Sequence, residues 1–294
     1  MQASDAKFSG TVDNKGSARV WSCGGRLLDL SRPLIMGIVN ATPDSFSDGG
    51  AHNDVERAVA WGRKLAADGA DILDVGGEST RPGAEEVSVD EEIARVVPVI
   101  RALAAEGFVL SVDTSKPEVM QAALEVGACI LNDVRAFEAP GSLEVAATST
   151  AGLVIMHMRG TPRTMQNDPS YADVTDEIER YLTSRQQALE ALGVNAQRIC
   201  WDAGFGFGKT VEHNFSILKH TERFAARPGA YLVGLSRKSF IGAATGVQVP
   251  CERVAGSVAA ALLAIERGAN VVRVHDVLEM RQAIDVYEAM RRAP

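Results

Sequence analysis

The sequence predicts an α/β fold, a single (β/α)8 TIM barrel, on three observations. A short apolar run, a polar residue at its end and an amphipathic stretch recur in that order eight times over roughly 260 residues, the size and rhythm of such a barrel. The apolar runs are continuous, as in parallel strands that helices cover on both faces. No linker interrupts them, so the competing doubly wound open sheet would need fewer strands or a second domain. The glycines of 204–208 also lack the spacing of a dinucleotide-binding loop.

An N-terminal hairpin is expected in front of the barrel. Residues 19–30 contain two short apolar segments around Gly24 and Gly25, and such a hairpin could close the barrel end opposite the site. Residues 1–18 are rich in Ser, Asp, Lys and Gly. We therefore expect a flexible N-terminal segment over 1–18 and the barrel domain over 19–294.

The first strand and the long loop after it show the repeating pattern most clearly. Residues 34–39 are apolar and end at Asn40, and a polar stretch rich in Thr, Pro, Asp, Ser and Gly follows as far as Gly50. Proteins of this class place their chemistry at this end of the strands. The predicted strands are 34–39, 71–75, 108–112, 129–131, 153–156, 198–201, 231–234 and 270–274.

The predicted helices are amphipathic, and several stop at a glycine, as at Gly69 and Gly107. Pro117 falls near the first turn of the third helix, where proline is tolerated. A long insert over 159–172 precedes the fifth helix. The predicted helices are 55–68, 89–106, 116–126, 143–149, 174–192, 211–225, 254–267 and 277–290.

Composition excludes several kinds of partner. The chain is 46% apolar and carries a net charge of −8, which indicates a large core and argues against a nucleic-acid or membrane-surface role. The four cysteines have no metal-like or C-x-x-C spacing, and Cys129 and Cys200 lie in apolar runs, where buried thiols are expected. No leader pattern and no apolar run near 18 residues is found, so we expect a cytoplasmic protein.

The residues at the C-terminal ends of the predicted strands are mostly polar and would converge on one rim of the barrel. The apolar mouth would hold two carboxylates, an amide and an amine, those of Asp113, Asp202, Asn132 and Lys238. Such a set implies a ligand rich in hydrogen-bond donors and acceptors, and a pterin fits that description. The alternative is a structural ion-pair network among Asp113, Asp202 and Lys238. The rim residues are Asn40, Ser79, Thr80, Arg81, Asp113, Asn132, Met156, Asp202, Lys238, Ser239, Arg273 and His275.

A local positive cluster could capture an anion against the negative background. Residues 236–239 begin a helical turn after the seventh strand, and Arg273 and His275 lie at the end of the eighth. The loops after these two strands and a helix N-terminus are the usual phosphate site of such barrels. The alternative is that Arg273 and His275 are solvated rim residues.

The aromatic residues and the histidines indicate a functional site less specifically than the rim residues do. Phe205 and Phe207 lie in a glycine-rich loop, so we expect them to be more exposed than core residues; Phe207 could form a wall for a ring-shaped substrate, and core packing stays open. His157 is expected at the rim or in the core. The histidines expected at the surface are His52, His213 and His220.

Three stretches closely resemble the signatures of the dihydropteroate synthase family. They are MGIVNATPDSFSDGG at 36–50, DVGGESTRPG at 74–83 and GLSRKS at 234–239. The resemblance runs from about residue 21 to residue 290 and departs at Ala41 and Ala203, where Val and Pro are frequent. Neither departure removes a functional side chain.

The resemblance implies condensation of 6-hydroxymethyl-7,8-dihydropterin pyrophosphate with p-aminobenzoate, with Mg²⁺ as cofactor, in a homodimer that sulfonamides inhibit. It implies a catalytic set, a pterin site, a pyrophosphate site with Asn40 also on the metal, and a p-aminobenzoate site. The catalytic set is Asp113, Lys238, Asp48 and Arg81, and the pterin site is Asp113, Asn132, Met156, Asp202 and Lys238. The pyrophosphate site is Asn40, Arg273 and His275. The p-aminobenzoate site is Thr80, Pro82, Phe207 and Ser239.

The implied chemistry agrees with this inventory of residues. An aniline-type amine is neutral at pH 7 and needs no strong base, whereas a departing pyrophosphate needs cations. We expect a dissociative path, no covalent intermediate, and Asp113 and Asp48 near the developing pterin cation. Two alternatives are a methyltransferase of the same barrel family, which would not need the pyrophosphate set, and a pterin-binding paralogue without turnover.

Overall fold

A computed structural model describes residues 19–42, 51–79, 86–160, 165 and 169–294. The predicted barrel is confirmed: eight parallel strands close it, each bonded to the next in chain order, and the last strand returns to the first. After the hairpin strands β1 and β2 come the barrel strands β3 to β10. In order, β1 to β10 are Val20–Cys23, Arg26–Asp29, Leu34–Asn40, Ile72–Gly76, Leu110–Asp113, Ile130–Asp133, Gly152–Met156, Ile199–Asp202, Ala230–Val233 and Val271–Val274.

Ten α-helices are described, and most of their bounds lie within a few residues of the predicted ones. In order, α1 to α10 are Ala51–Ala67, Val89–Ala105, Pro117–Glu125, Ser142–Thr148, Val174–Ala191, Val211–Lys219, Thr221–Ala225, Ser239–Thr245, Val254–Glu266 and Val277–Arg292. Short 3₁₀ turns lie at Ala196–Arg198 and Pro250–Glu252. None of the described helices is long and apolar enough to cross a membrane.

The prediction of one helix over 211–225 was wrong, because the helix breaks at His220. The hydroxyl of Thr221 donates to the carbonyls of Ile217 at 3.3 Å and Leu218 at 3.1 Å. Those bonds satisfy two carbonyl groups at the end of α6, and a separate helix, α7, starts at Thr221.

The hairpin closes the N-terminal end of the barrel, as predicted. The indole of Trp21 is fully buried and donates to the carbonyl of Arg198 at 2.9 Å. Gly24 N donates to the carbonyl of Thr150 at 2.9 Å. Gly152 opens β7 directly against this plug, where a Cβ would stand 2.5 Å from the Cys23 sulfur. A larger residue at 152 would therefore push the plug out of the barrel.

The core cysteines behave as small apolar residues. Cys129 and Cys200 are buried, as predicted, and Cys23 joins them in the cluster beneath the hairpin; Cys251 is exposed. Burial raises the pKa of the Cys129 thiol, so the reactive thiolate is disfavoured. The apolar faces of α9 and α10 are largely turned to the barrel, with Ala261, Met280 and Ile284 buried.

Candidate active site

The strand register lines up the predicted site residues at the C-terminal rim. Asn40 pairs in register with Gly76, Gly76 with Asp113, and Asp113 with Asn132. Across the barrel, Met156 pairs with Asp202. Six separate strands therefore bring residues to the C-terminal rim of the barrel, which chain order alone would not reveal.

Arg273 joins this set through two carboxylates. Its Nη2 donates to Asp113 Oδ2 and its Nε to Asp74 Oδ2, both at 2.6 Å. The alternative of a solvated rim arginine is therefore wrong. The guanidinium lies inside the barrel mouth, where the surrounding carboxylates keep it charged.

Asp74 is a site residue that sequence reasoning missed. It is fully buried one inward-facing position deeper in β4 than Gly76, and its Oδ2 accepts a second bond from Asn132 Nδ2 at 3.0 Å. Its Oδ1 is buried without a hydrogen-bond partner among the described residues. The signal was present, since a lone carboxylate interrupts the apolar run of 72–75. Asp74 lies within a strand, whereas the rim residues were predicted from the strand ends.

Burial shapes the charge state of the two predicted carboxylates. It raises the pKa of Asp113 to about 7, although Arg273 pulls in the other direction. Burial also raises the pKa of Asp202, whose Oδ1 accepts from Gly204 N at 2.7 Å. In the described part of the chain, no cation lies within ion-pair distance of Asp202. The proposed structural network of Asp113, Asp202 and Lys238 is therefore not what holds these residues together.

Lys238 lies between the glycine-rich loop and the mouth. Its Nζ donates to the carbonyl of Phe205 at 2.6 Å and stands 4.2 Å from the ring centre of Phe207. Burial lowers the pKa of this ammonium to about 8. Phe207 is half-buried, so its ring is available to a ligand. The expectation that Phe205 is exposed was wrong, because its ring is buried 6.1 Å from that of Phe240.

The positive cluster after β9 is smaller than the sequence suggested. The guanidinium of Arg237 is taken by Asp276, with Nε 3.0 Å from Oδ2, so Lys238 and Arg273 supply the charge in the mouth. Ser236 Oγ accepts from His275 N at 3.2 Å and lies 3.0 Å from His275 Nδ1. The serine thereby fixes the orientation of the imidazole ring beside the rim.

Ion pairs lie at the point where the loop after β4 begins. Lys116 Nζ donates to Glu92 Oε2 at 2.5 Å and also contacts Glu78, which lies between β4 and the loop. Asp48, Thr80, Arg81 and Pro82 lie outside the described residues, so their predicted roles stay predictions.

The remaining predicted residues occupy different depths of the rim. Met156 is buried at the end of β7, Asn40 is half-buried at the end of β3, and Ser239 is exposed at the start of α8. His157 is a core histidine, as one of the two expectations had it. Among the described residues there is no cluster of three or more His, Cys, Asp or Glu side chains that could hold a metal.

The closed barrel and the polar set at its C-terminal rim define an enzyme of the barrel class with a site for a polar, partly anionic ligand. Residues 36–275 match the model of the pterin-binding enzyme family. A dihydropteroate synthase of Escherichia coli strain K12 is 49% identical over 266 residues, covering 90% of this chain and 94% of that protein.

Two solved structures are similar throughout. The dihydropteroate synthase of Xanthomonas albilineans with 4-aminobenzoic acid has a TM-score of 0.89 and 50% identity, covering 95% of this chain and all of that one. The Yersinia pestis enzyme in a sulfonamide drug complex has a TM-score of 0.88 and 45% identity, covering 93% of this chain and all of that one. The chain belongs to the pterin-binding enzymes and, among them, to the dihydropteroate synthases.

Proposed function

We propose that this chain condenses 6-hydroxymethyl-7,8-dihydropterin pyrophosphate with p-aminobenzoate, giving 7,8-dihydropteroate and pyrophosphate. One observation carries the proposal: Arg273 lies between Asp74 and Asp113, beside Asn132 in a single mouth. A guanidinium for an anionic leaving group thus adjoins carboxylates and an amide for an amino-pyrimidinone ring.

The pterin ring would be held by the buried part of the rim. Asp202 offers a carboxylate that is incompletely satisfied in the described residues, and adjacent N–H donors of the ring would complete it. Asn132 uses its Nδ2 toward Asp74, which turns its Oδ1 toward other donors. Met156 lies in the same row as Asp202 and would pack against the ring face.

The pyrophosphate would be bound by Arg273, His275 and Asn40. An anion that engages the guanidinium of Arg273 competes with Asp113 for it. Binding of substrate would therefore release the Asp113 carboxylate toward the ring, where positive charge develops as the leaving group departs.

Mg²⁺ fits the donor chemistry of this rim. Magnesium is usually held by one or two protein oxygens together with substrate phosphates. Asn40 supplies an amide oxygen at the rim, half-buried at the end of β3, and would hold the ion. When bound, the ion would neutralise charge on the pyrophosphate.

The p-aminobenzoate would lie against Phe207 and Ser239, with Thr80 and Pro82 completing its site. The ring of Phe207 contacts the Lys238 ammonium, so the two subsites share a wall. Asp48 and Arg81 would act from the first two loops, and exclusion of water there would protect the cation from hydrolysis. The neutral amine attacks without a general base, and no enzyme nucleophile is used.

A calorimetric titration tests this assignment. We expect p-aminobenzoate to bind tightly only when a pterin, pyrophosphate and Mg²⁺ are present together, because the first ligands complete its site. The purified chain should also form dihydropteroate from the two substrates. Pterin binding without any p-aminobenzoate signal or product would overturn the proposal in favour of the silent paralogue. Methyl transfer from methyltetrahydrofolate would favour the methyltransferase.

We also propose a homodimer and a cytoplasmic location. On α9 and α10, Leu263, Leu278 and Val286 are exposed apolar side chains that a second subunit could cover. The four cysteines are free, which fits a reducing compartment. Light scattering after size exclusion tests the dimer, and a monomeric mass at micromolar concentration would contradict it.

A further inference from the structure

Lys209 is a buried lysine surrounded by uncharged acceptors, and burial lowers the pKa of its amino group well below the usual value. Its side chain is 4% exposed, and its Nζ donates to the carbonyls of Gly204 and Phe207 at 2.9 Å and of His157 at 3.3 Å. The same nitrogen lies 3.0 Å from His157 Nδ1. In the described ranges no carboxylate lies within ion-pair distance of it. A buried amino group is costly unless its hydrogen bonds are made, so the groups around it must be held in place.

The fourth acceptor is an uncharged histidine. Burial lowers the pKa of His157 far below its usual value, and Lys209 reinforces the shift. Its Nδ1 can therefore accept from the Lys209 amino group, which leaves the proton on Nε2. The ring of Tyr181 stands perpendicular to the imidazole at 5.1 Å and fixes its plane. Lys209 thus ties the glycine-rich loop after β8 to a rigid point after β7.

The loop from Gly204 to Gly208 is shaped to present its carbonyls to two lysines. Gly204, Gly206 and Gly208 have positive φ angles of 68°, 80° and 65°. At Gly204 and Gly208 a Cβ would collide with the backbone of 157 and 159. The Phe205 carbonyl goes to Lys238, whereas those of Gly204 and Phe207 go to Lys209.

We propose that Lys209 is a positioning residue that fixes the backbone of Phe207 and so determines the affinity for the arylamine substrate. The proposal rests on the function proposed above. Lys238 contacts the Phe207 ring, but Lys209 holds the carbonyl of the same residue. Without Lys209 the distal part of the loop loses its attachment to β7, and the aromatic wall moves. Asn132 and Asp113 lie on other strands and keep their partners, while Asp202 and Lys238 bond to Gly204 and Phe205 in the proximal part of the loop.

The experiment compares Lys209→Gln and Lys209→Met with the wild type and with Lys219→Met. Lys219 is an exposed lysine at the end of α6, so its variant controls for loss of a lysine charge nearby. Gln can donate to two of the carbonyls and guards against a variant that fails to fold. The readouts are KM for each substrate, pterin affinity by calorimetry, and the ratio of pyrophosphate released to dihydropteroate formed.

We expect KM for p-aminobenzoate to rise at least about tenfold in Lys209→Met and less in Lys209→Gln, with pterin affinity within about threefold of wild type. The ratio of pyrophosphate to dihydropteroate should rise above one, since a displaced wall admits water that captures the cation. A smaller folded fraction alone would lower kcat and leave that ratio unchanged.

Two results would overturn the proposal. One is an equal change in both substrate constants with a ratio of one. The other is kinetics of Lys209→Met that match those of Lys219→Met. Failure of the proposed function is recognised separately, because the wild type itself would then form no dihydropteroate.

Discussion

The two ends of the barrel are built on opposite principles. At the N-terminal end, Trp21 and Cys23 plug an apolar cluster, and the polar atom of the plug has a backbone partner. At the C-terminal end, the carboxylates of Asp74, Asp113 and Asp202 are buried. One oxygen of Asp74 has no hydrogen-bond partner in the described residues.

The difference separates stability from function within one sheet. Every barrel strand contributes to both ends. The fold tolerates the polar end because the apolar end and the helices supply the stability. Polar groups that wait for a ligand are unfavourable in the empty protein. Substitutions at the C-terminal end should therefore reduce activity without reducing stability, and substitutions at the N-terminal end should do the reverse.

The largest effect is expected for Asp202→Asn. Loss of two charge-assisted hydrogen bonds to the pterin, each about 1.5–3 kcal/mol, should lower kcat/KM about a thousandfold. The urea midpoint should stay the same or rise, since the variant removes a buried charge that has no ion pair in the described part of the chain. Steady-state kinetics and equilibrium unfolding of the same preparation measure both.

Asp71→Asn is the matched control at the opposite end. Asp71 precedes β4, receives the guanidinium of Arg32 and accepts from Ile35 N at 2.9 Å. That variant should cost about 1–2 kcal/mol of stability and leave kcat/KM unchanged. If Asp202→Asn lost stability and activity together, Asp202 would be part of a structural network after all.

Trp21→Ala is expected to show the reverse behaviour. Truncation of a fully buried tryptophan should lower the free energy of unfolding by about 3–5 kcal/mol. Both KM values should stay within about twofold at a temperature where the variant is folded, because the plug lies at the far end of the strands. Urea unfolding and initial rates test this.

Leu27→Ala serves as the control on the same hairpin. Leu27 is 68% exposed, so its truncation should change stability by less than about 0.5 kcal/mol. A large change in KM for Trp21→Ala at full folding would show that the two ends are coupled, and the comparison would fail.

The fold could be predicted from the sequence because its signals are local and repeated. Continuous apolar runs, helix stops and proline positions each depend on a few neighbouring residues. The one wrong helix, over 211–225, broke where the Thr221 side chain competes for backbone carbonyls. Such competition leaves no trace in hydrophobic periodicity.

The site was predicted as a set of residues and not as a set of contacts. Strand ends identified Asp113, Asn132 and Arg273, but not Asp74, the second carboxylate that holds the arginine. Asp74 and Arg273 are 199 residues apart in the chain, and their ion pair depends on barrel closure between β10 and β3. Arg237 carries the same charge as Arg273, and only the fold shows that the guanidinium of Arg237 donates to Asp276.

The smallest expected effect is a narrow pH optimum at the C-terminal end. Burial raises the pKa of Asp113 to about 7 and lowers that of Lys238 to about 8. The Asp113 carboxylate forms as pH rises through the first value, and the Lys238 ammonium is lost as pH rises through the second. If both charged forms are needed, kcat/KM for the pterin substrate falls up to about tenfold per pH unit on either side.

Two variants assign the limbs. Asp113→Asn should remove the acid limb, and Lys238→Arg should move the alkaline limb upward, because a guanidinium stays charged in this range. Both are compared with wild type on the same substrate, so ionisation of the pterin pyrophosphate itself is common to all profiles. If the limbs stay in place in both variants, the pH optimum is set by the substrate or by another titratable group of the protein. The buried charges of the rim would then hold the ligand without controlling the protonation state on which turnover depends.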